Sequence, residues 1–371
     1  MTSERSEVID LLKALACVMI VFHHLALYGP MSETASAWVP GLVGFFYTYA
    51  LLAVQVFLVV GGYLNAKSFT RALGQPHLNF QSRLLMRYRR LVIPLLAALS
   101  FTVAMTALVR PFFPHSSLSE APQWGQVLAH ILLLQDVFHV EAFSAGVWYV
   151  AIDFQLFAMA LLCAFLACKW QSFSNQGSVK QKLLVLWLTL SIISSLIWNL
   201  NAKGDMWGTY FFGAYGLGLC VGIWREAVPK VRYRYLIFGI VVLGVLATLQ
   251  QARVRLGVAM VTACLLSIYE ARGCPSMPII QWKWVQQLSN ASYSIFLIHF
   301  GVSLCVSAVV FNFWPENIPL NLAGMLTSFG ISVALGQLIH RVVEKQEPTW
   351  RRVWQWVATF VATCAAVMLV G

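Results

Sequence analysis

The stretch from Asp10 to His24 reads DLLKALACVMIVFHH, and its pattern decides what kind of protein this is. It is apolar enough to cross a bilayer, yet it carries an acid and a lysine near its start and two histidines at its end. On an α-helix, residues eleven apart return to within about 20° of one another and lie roughly 16 Å apart along the axis. Lys13 and His24 therefore share a face. Asp10, one turn before Lys13, and Cys17, between the two, fall close to the same line, so a polar stripe runs along a helix made otherwise of Leu, Ala, Val, Ile and Met. Ionisable groups cost a few kcal/mol each when they face lipid, so the stripe is expected to face protein or a wet cavity.

Working outward, the whole chain repeats this apolar character. Of its 371 residues 59% are hydrophobic and only 11% are charged, and a mean hydropathy of +0.73 lies outside the range of soluble domains. The reading is an all-α, polytopic membrane protein with no soluble domain. About eleven spans are expected, within a range of ten to twelve, near 8–28, 42–64, 91–109, 145–168, 183–200, 206–224, 235–250, 256–271, 289–311, 319–340 and 353–370. The segment 127–138 is apolar but too short to cross comfortably, so it reads as interfacial or re-entrant. The first apolar stretch is not read as a removable signal, because polar groups interrupt it and no small-residue cleavage pattern follows. There is no internal repeat and no matched pair of Gly/Pro-broken helices of the kind found in inverted-repeat transporters.

A net charge of +11 raises the question of nucleic acid, and the distribution answers it. All but Arg110, Lys203, Arg253 and Arg255 of the 25 basic residues fall in alternate loops or helix ends on one side. That is the positive-inside pattern, which predicts a cytoplasmic N-terminus, anionic membrane lipids as the bland partner of the basic excess, and no nucleic acid. The eight cysteines are scattered without a CxxC pair and read as small buried hydrophobes. His23 and His24 diverge by about 100° on a helix, a poor geometry for two ligands of one ion, so no metal site is expected.

Five local patterns, in this order along the chain, resemble the acyltransferase 3 family of multi-spanning membrane enzymes. A basic residue is followed after ten others by histidine in the first span, here Lys13 and His24. The family's FFxxSG(F/Y) segment appears as Phe57-Leu58-Val59-Val60-Gly61-Gly62-Tyr63, with Gly61 in place of serine. Its RxxR corresponds to Arg87 and Arg90, its tryptophan and later acid to Trp148 and Asp153, and its SxxxxLxH to Ser292 through His299, with Glu344 following in VVEKQEP. The resemblance covers about 10–348. It implies a membrane acyltransferase domain over 5–348, with 349–371 as an additional C-terminal helix, and an activity moving acyl groups from cytoplasmic acyl-CoA to extracytoplasmic polysaccharide or lipid-linked glycan. Acetyl-CoA is the expected donor, and a bacterial inner membrane the expected location. Because Gly61 has no hydroxyl, a covalent serine intermediate is not available there.

The residues suit these tasks on physical grounds as well. O-acylation needs a base to take a proton from the attacking hydroxyl, and histidine titrates in the required range. His24 is the candidate base, with His23 read as merely interfacial. Lys13, held by Asp10, and the arginines Arg87 and Arg90 are the candidates for the phosphates of the donor, arginine's planar fork being suited to such oxygens. Arg87 and Arg90 also fit the bland role of topology determinants. Asp153, an acid inside a span, is expected to support His24 or a substrate hydroxyl, or else to bond a neighbouring helix. His299 is a similar secondary candidate. Glu344 reads as an i, i+3 partner of Arg341 rather than a catalyst. A transporter or flippase using the same His, Lys and Asp as a proton or substrate path is the alternative reading.

Overall fold

A computed structural model describes residues 7–73, 79–174, 176–275 and 282–370. These residues are helical almost throughout, with no strand among them. The elements are α1 (Glu7–Leu27), α2 (Pro30–Ala35), α3 (Pro40–Tyr49), α4 (Ala53–Leu73), α5 (Phe80–Val109), α6 (Trp124–Ile131), α7 (Val147–Phe173), α8 (Val179–Leu196), α9 (Gly208–Ala227), α10 (Tyr233–Gln250), α11 (Val254–Ala271), α12 (Lys283–Phe313), α13 (Ile318–Ile339), a π-helical turn over His340–Glu344, and α14 (Trp350–Val370). Among the described residues ten helical segments are long and apolar enough to cross a membrane. The protein is an all-α, multi-pass membrane protein.

The span expected near 206–224 is present as α9 but is not one of those ten. Its sequence GTYFFGAYGLGLCVGIWREA holds five glycines, which lower its hydropathy. They bring backbones together instead. A Cβ added to Gly218 would fall on the Val59 carbonyl of α4, and one added to Gly62 on the Tyr215 carbonyl of α9. Small residues at such crossings are what allow helices to associate in lipid, where apolar burial gives little drive.

Other expectations are refined in position. The basic residues Arg83, Arg87, Arg89 and Arg90 lie in the first turns of α5, which is 30 residues long and begins at Phe80 rather than near the expected 91. Pro94 lies inside that helix and removes one ladder donor; close to the break, the Leu91 carbonyl accepts from the Tyr293 hydroxyl at 2.9 Å. The segment 127–138 does not cross as a helix. The eight residues of α6 rise only about 12 Å, and the chain then turns through positive φ at Leu133 (58°) and His139 (53°).

The chain divides into two compact units, and α1, α4, α5 and α7 are each cut by the division. The first unit takes Val54–Arg87 and Ile152–Gln281, with the start of α1. At its centre Phe69 of α4 stacks on Phe157 of α7 at 5.2 Å and lies against Trp187 of α8 at 5.8 Å. The serines of α8 serve α9: Ser194 Oγ donates to the Thr209 carbonyl at 2.6 Å and accepts from Gly213 N at 2.8 Å.

The second unit takes Lys13–Ala53, Tyr88–Ala151 and Trp282–Gly371. Here α12 is the central rod, with most of its residues from Val285 to Val310 buried. A Cβ at Gly301 would meet Thr102 and Phe101 of α5 at 2.9–3.0 Å, and Gly336 of α13 lies close against Ile295 of α12. The last helix belongs to this packing, with Phe360 and Cys364 fully buried and Val353 in a cluster with Ile93, Ala97 and Val343.

Candidate active site

Within the second unit, α1 turns its polar stripe inward. Cys17 is completely buried and its Sγ points at the Ser292 carbonyl of α12, 3.7 Å away. His24 is 6% exposed, Lys13 is half-buried, and Leu15, on the opposite face, is 52% exposed. The amphipathicity is thus the inverse of a soluble helix, with leucine toward lipid and imidazole toward protein.

His24 meets His299 of α12. The Nδ1 of His24 lies 2.7 Å from the Nε2 of His299, and the rings stack at 4.8 Å, only 10° from parallel. Both are buried. The other nitrogen of His299, Nδ1, lies 2.6 Å from the Phe296 carbonyl. A carbonyl only accepts, so Nδ1 of neutral His299 carries the hydrogen and its Nε2 presents a lone pair. Nδ1 of His24 must then be the donor across the 2.7 Å contact. It follows that Nε2 of neutral His24 has no hydrogen and is available as a base. A backbone carbonyl three residues before His299 therefore fixes which nitrogen of His24 can accept a proton.

The surroundings hold this pair in place. Gly146, just before α7, has φ +80°, and a Cβ there would lie 2.6 Å from the Phe296 ring and 3.2 Å from Cε1 of His24. Only glycine suits both the left-handed backbone and the space. Tyr149 packs edge-on to Phe296 at 5.7 Å and Trp148 packs on Tyr149 at 6.2 Å. His23 points elsewhere, its Nδ1 donating to the Phe46 carbonyl at 3.1 Å, a structural use.

In the first unit, Arg87 and Asp153 meet. Arg87 Nη2 lies 2.7 Å from Oδ1 and 2.5 Å from Oδ2, and Nε lies 3.1 Å from Oδ2. The guanidinium also sits 5.3 Å over the Phe157 ring. From sequence, Arg87 was expected at donor phosphates or as a topology determinant, and Asp153 at His24, at a substrate hydroxyl or bonded to a neighbouring helix; their pairing with each other was not foreseen. Phe80 packs on Phe165 at 6.4 Å, which sets α5 and α7 side by side, and the long arginine side chain spans what remains. Buried Tyr215 adds its hydroxyl to the same neighbourhood, accepting from Asn65 at 2.9 Å. Arg90 is exposed, and Asp10 is buried on α1, 8% exposed.

Glu344 departs from expectation. Its Oε2 accepts from Ser294 Oγ at 2.6 Å and lies 3.1 Å from His340 Nδ1, so its partners are Ser294 and His340, not Arg341. The π-helical turn over His340–Glu344 shifts the register that an i, i+3 pairing assumes. A comparable cluster in the first unit joins Tyr63, which donates to Glu270, and Lys67, which pairs with the same carboxylate at 3.0 Å.

Phe296, Gly146, Ser294, Tyr215 and Asn65 were not singled out from sequence. For Gly146 and Tyr215 no sequence signal was available. Ser294 and Phe296 lie inside the SxxxxLxH pattern, where the i−3 carbonyl of a helical histidine is always within reach.

With this geometry in hand, comparison with known families is decisive. The acyltransferase 3 family model, described as an acyltransferase domain, matches residues 7–371. The chain belongs to that family. No curated protein and no solved structure matches it. The match runs through α14 to the end of the chain. As an acyltransferase 3 member this is a membrane acyltransferase, and the reactive groups of such an enzyme are to be sought among the buried polar side chains just described.

Proposed function

We propose that this acyltransferase moves an acyl group, acetyl in the first instance, from cytoplasmic acyl-CoA to a hydroxyl of an extracytoplasmic polysaccharide or lipid-linked glycan. The setting is a bacterial inner membrane with the N-terminus in the cytoplasm, in keeping with the basic loops. The observation that carries the reading is the relay from the Phe296 carbonyl through His299 to His24.

In this scheme the acceptor hydroxyl attacks the thioester carbonyl carbon while Nε2 of His24 takes its proton. The tetrahedral adduct collapses with cleavage of the C–S bond. His24 then returns the proton to the departing CoA thiolate. The transient imidazolium keeps Nδ1–H directed at His299, which stabilises it by a charge-assisted hydrogen bond. Lys13, roughly 16 Å down the same helix face, suits an elongated donor whose phosphates lie far from its thioester, and exposed Arg90 is a second cation for them. Arg87, closed on Asp153, contributes to the donor only by exchanging or sharing that partner. The transport reading has the family match against it.

The test is His24→Ala assayed for transfer of labelled acetyl from acetyl-CoA to envelope glycan. Transfer is expected to disappear while the protein inserts and accumulates normally. Retained transfer would remove His24 as the base; flux of a glycan into liposomes without acyl chemistry would favour transport instead.

A further inference from the structure

A groove of about 520 Å³ runs between α10 and α11 in the first unit. Its lining includes Val241, Val245, Leu249, Gly257, Val261 and Leu265, all of them exposed. Gly257 opens one wall, since a Cβ there would meet nothing within 4 Å, and Met260 closes the floor opposite Gly244. A lipid-facing surface of this kind takes hydrocarbon chains.

One end of the groove is charged. Arg253 lines it, and its guanidinium is anchored by neutral acceptors alone: Asn199 Oδ1 and the Ser195 carbonyl at 3.0 Å, the Gln251 carbonyl at 3.3 Å and the Ala247 carbonyl at 3.4 Å. Arg255, two residues on, lies 4.7 Å over the Tyr210 ring. Among the described residues neither arginine forms an ion pair with a carboxylate. Burial, and then the charge of Arg255, hold the Arg253 pKa below the usual guanidinium value. The two are also half of the four basic residues that the sequence keeps away from the basic loops. A guanidinium held by neutral acceptors alone at the mouth of an acyl-sized channel, with the charge of a second arginine felt beside it, calls for an anion that brings its own hydrocarbon.

We propose that this groove is a site for an anionic phospholipid of the surrounding bilayer, its phosphate against Arg255 and Arg253 and one acyl chain between α10 and α11. The site is separate from the His24–His299 pair and its occupancy does not depend on the acyl-transfer reading.

The experiment is native mass spectrometry of the full-length, detergent-solubilised protein titrated with phosphatidylglycerol or with phosphatidylcholine of the same chains. Phosphatidylglycerol is expected to bind about fivefold more tightly or better, one arginine near a lipid phosphate being worth about that factor. Arg255→Gln should abolish the preference and Arg255→Lys should retain it, whereas Gly257→Leu, which fills the channel without meeting backbone, should weaken both lipids. Equal binding of the two lipids, an unchanged preference in Arg255→Gln, or unaltered binding in Gly257→Leu would each overturn the proposal. So would displacement of bound phosphatidylglycerol by an equimolar polyprenyl phosphate, which would assign the groove to a glycan carrier instead.

Discussion

Replacing His299 by alanine isolates the relay from the base it serves. The substitution leaves His24 in place but removes the acceptor 2.7 Å from its Nδ1. Two losses follow. The neutral ring is no longer obliged to keep its hydrogen on Nδ1, and the imidazolium formed in the transition state loses a charge-assisted hydrogen bond worth about 1.5–3 kcal/mol. Taken off the barrier, that amounts to a fall in kcat of about ten- to 150-fold. The KM for acyl-CoA and for acceptor should stay close to wild type, because His299 is buried behind His24 (1% exposed) and is a positioning residue rather than a substrate contact. The measurement is steady-state transfer of labelled acetyl under saturation of each substrate in turn, with thermal unfolding in detergent as a control. His299→Gln supplies the discriminating arm. Its side-chain oxygen can reach the place of Nε2 and accept from His24, so it should recover most of kcat. If His299→Ala kept kcat within about twofold, or if alanine and glutamine were equally damaging at matched stability, the relay would play no part in proton transfer.

Other predictions concern the supports of the site. Gly146→Ala should lower both stability and kcat, since its Cβ would strike the Phe296 ring at 2.6 Å and a left-handed alanine costs about 1–2 kcal/mol by itself; normal unfolding temperature and turnover would show that the loop adjusts freely. Arg87→Met alone should reduce folded protein by leaving Asp153 buried without its partner, and Asp153→Leu in the same chain should restore it. If the restored double variant also shows an unchanged KM for acyl-CoA, Arg87 is structural and has no part in donor binding. His130 of α6 is fully buried between the Gln126 carbonyl, to which it donates, and Phe143 N, from which it accepts, and burial pushes its pKa down to about 4. The unfolded histidine binds its proton near 6.5, so the unfolded state gains protons first as pH falls. This stabilisation is complete above about 6.5 and is lost between there and about 4, amounting to about 3 kcal/mol. The protection factor of the Phe143 amide, its exchange rate corrected for the intrinsic slowing of exchange as pH falls, should drop over that window, and an unchanged protection factor would contradict it.

Much of this protein can be read from residue order because the bilayer enforces simple rules. Span lengths, the near absence of charge within them and the alternation of basic loops are each set by the cost of polar groups in hydrocarbon. Even α9, whose hydropathy leaves it out of the ten, was legible as a helix, and its glycines prove to be contact points with α4. The inward face of α1 was likewise fixed by an eleven-residue repeat of position, since a helix of known pitch leaves no choice of which residues align.

Pairing between distant segments was not legible. Periodicity says which face of a helix is polar but not which other helix will meet it, and that is decided by how long, glycine-thinned rods pack. Asp153 was expected to serve His24, a substrate hydroxyl or a neighbouring helix, and Arg87 a ligand or the topology, because each is plausible locally. The packing of α5 against α7 joins them to each other, and a π-helical turn gives Glu344 to Ser294 and His340. The same holds for the base itself. The sequence determined that an imidazole would sit inside the membrane on the protein-facing side of α1. Only the tertiary structure, by laying His299 and its Phe296 carbonyl beside it across 275 residues of chain, decided which of its two nitrogens is open to a proton.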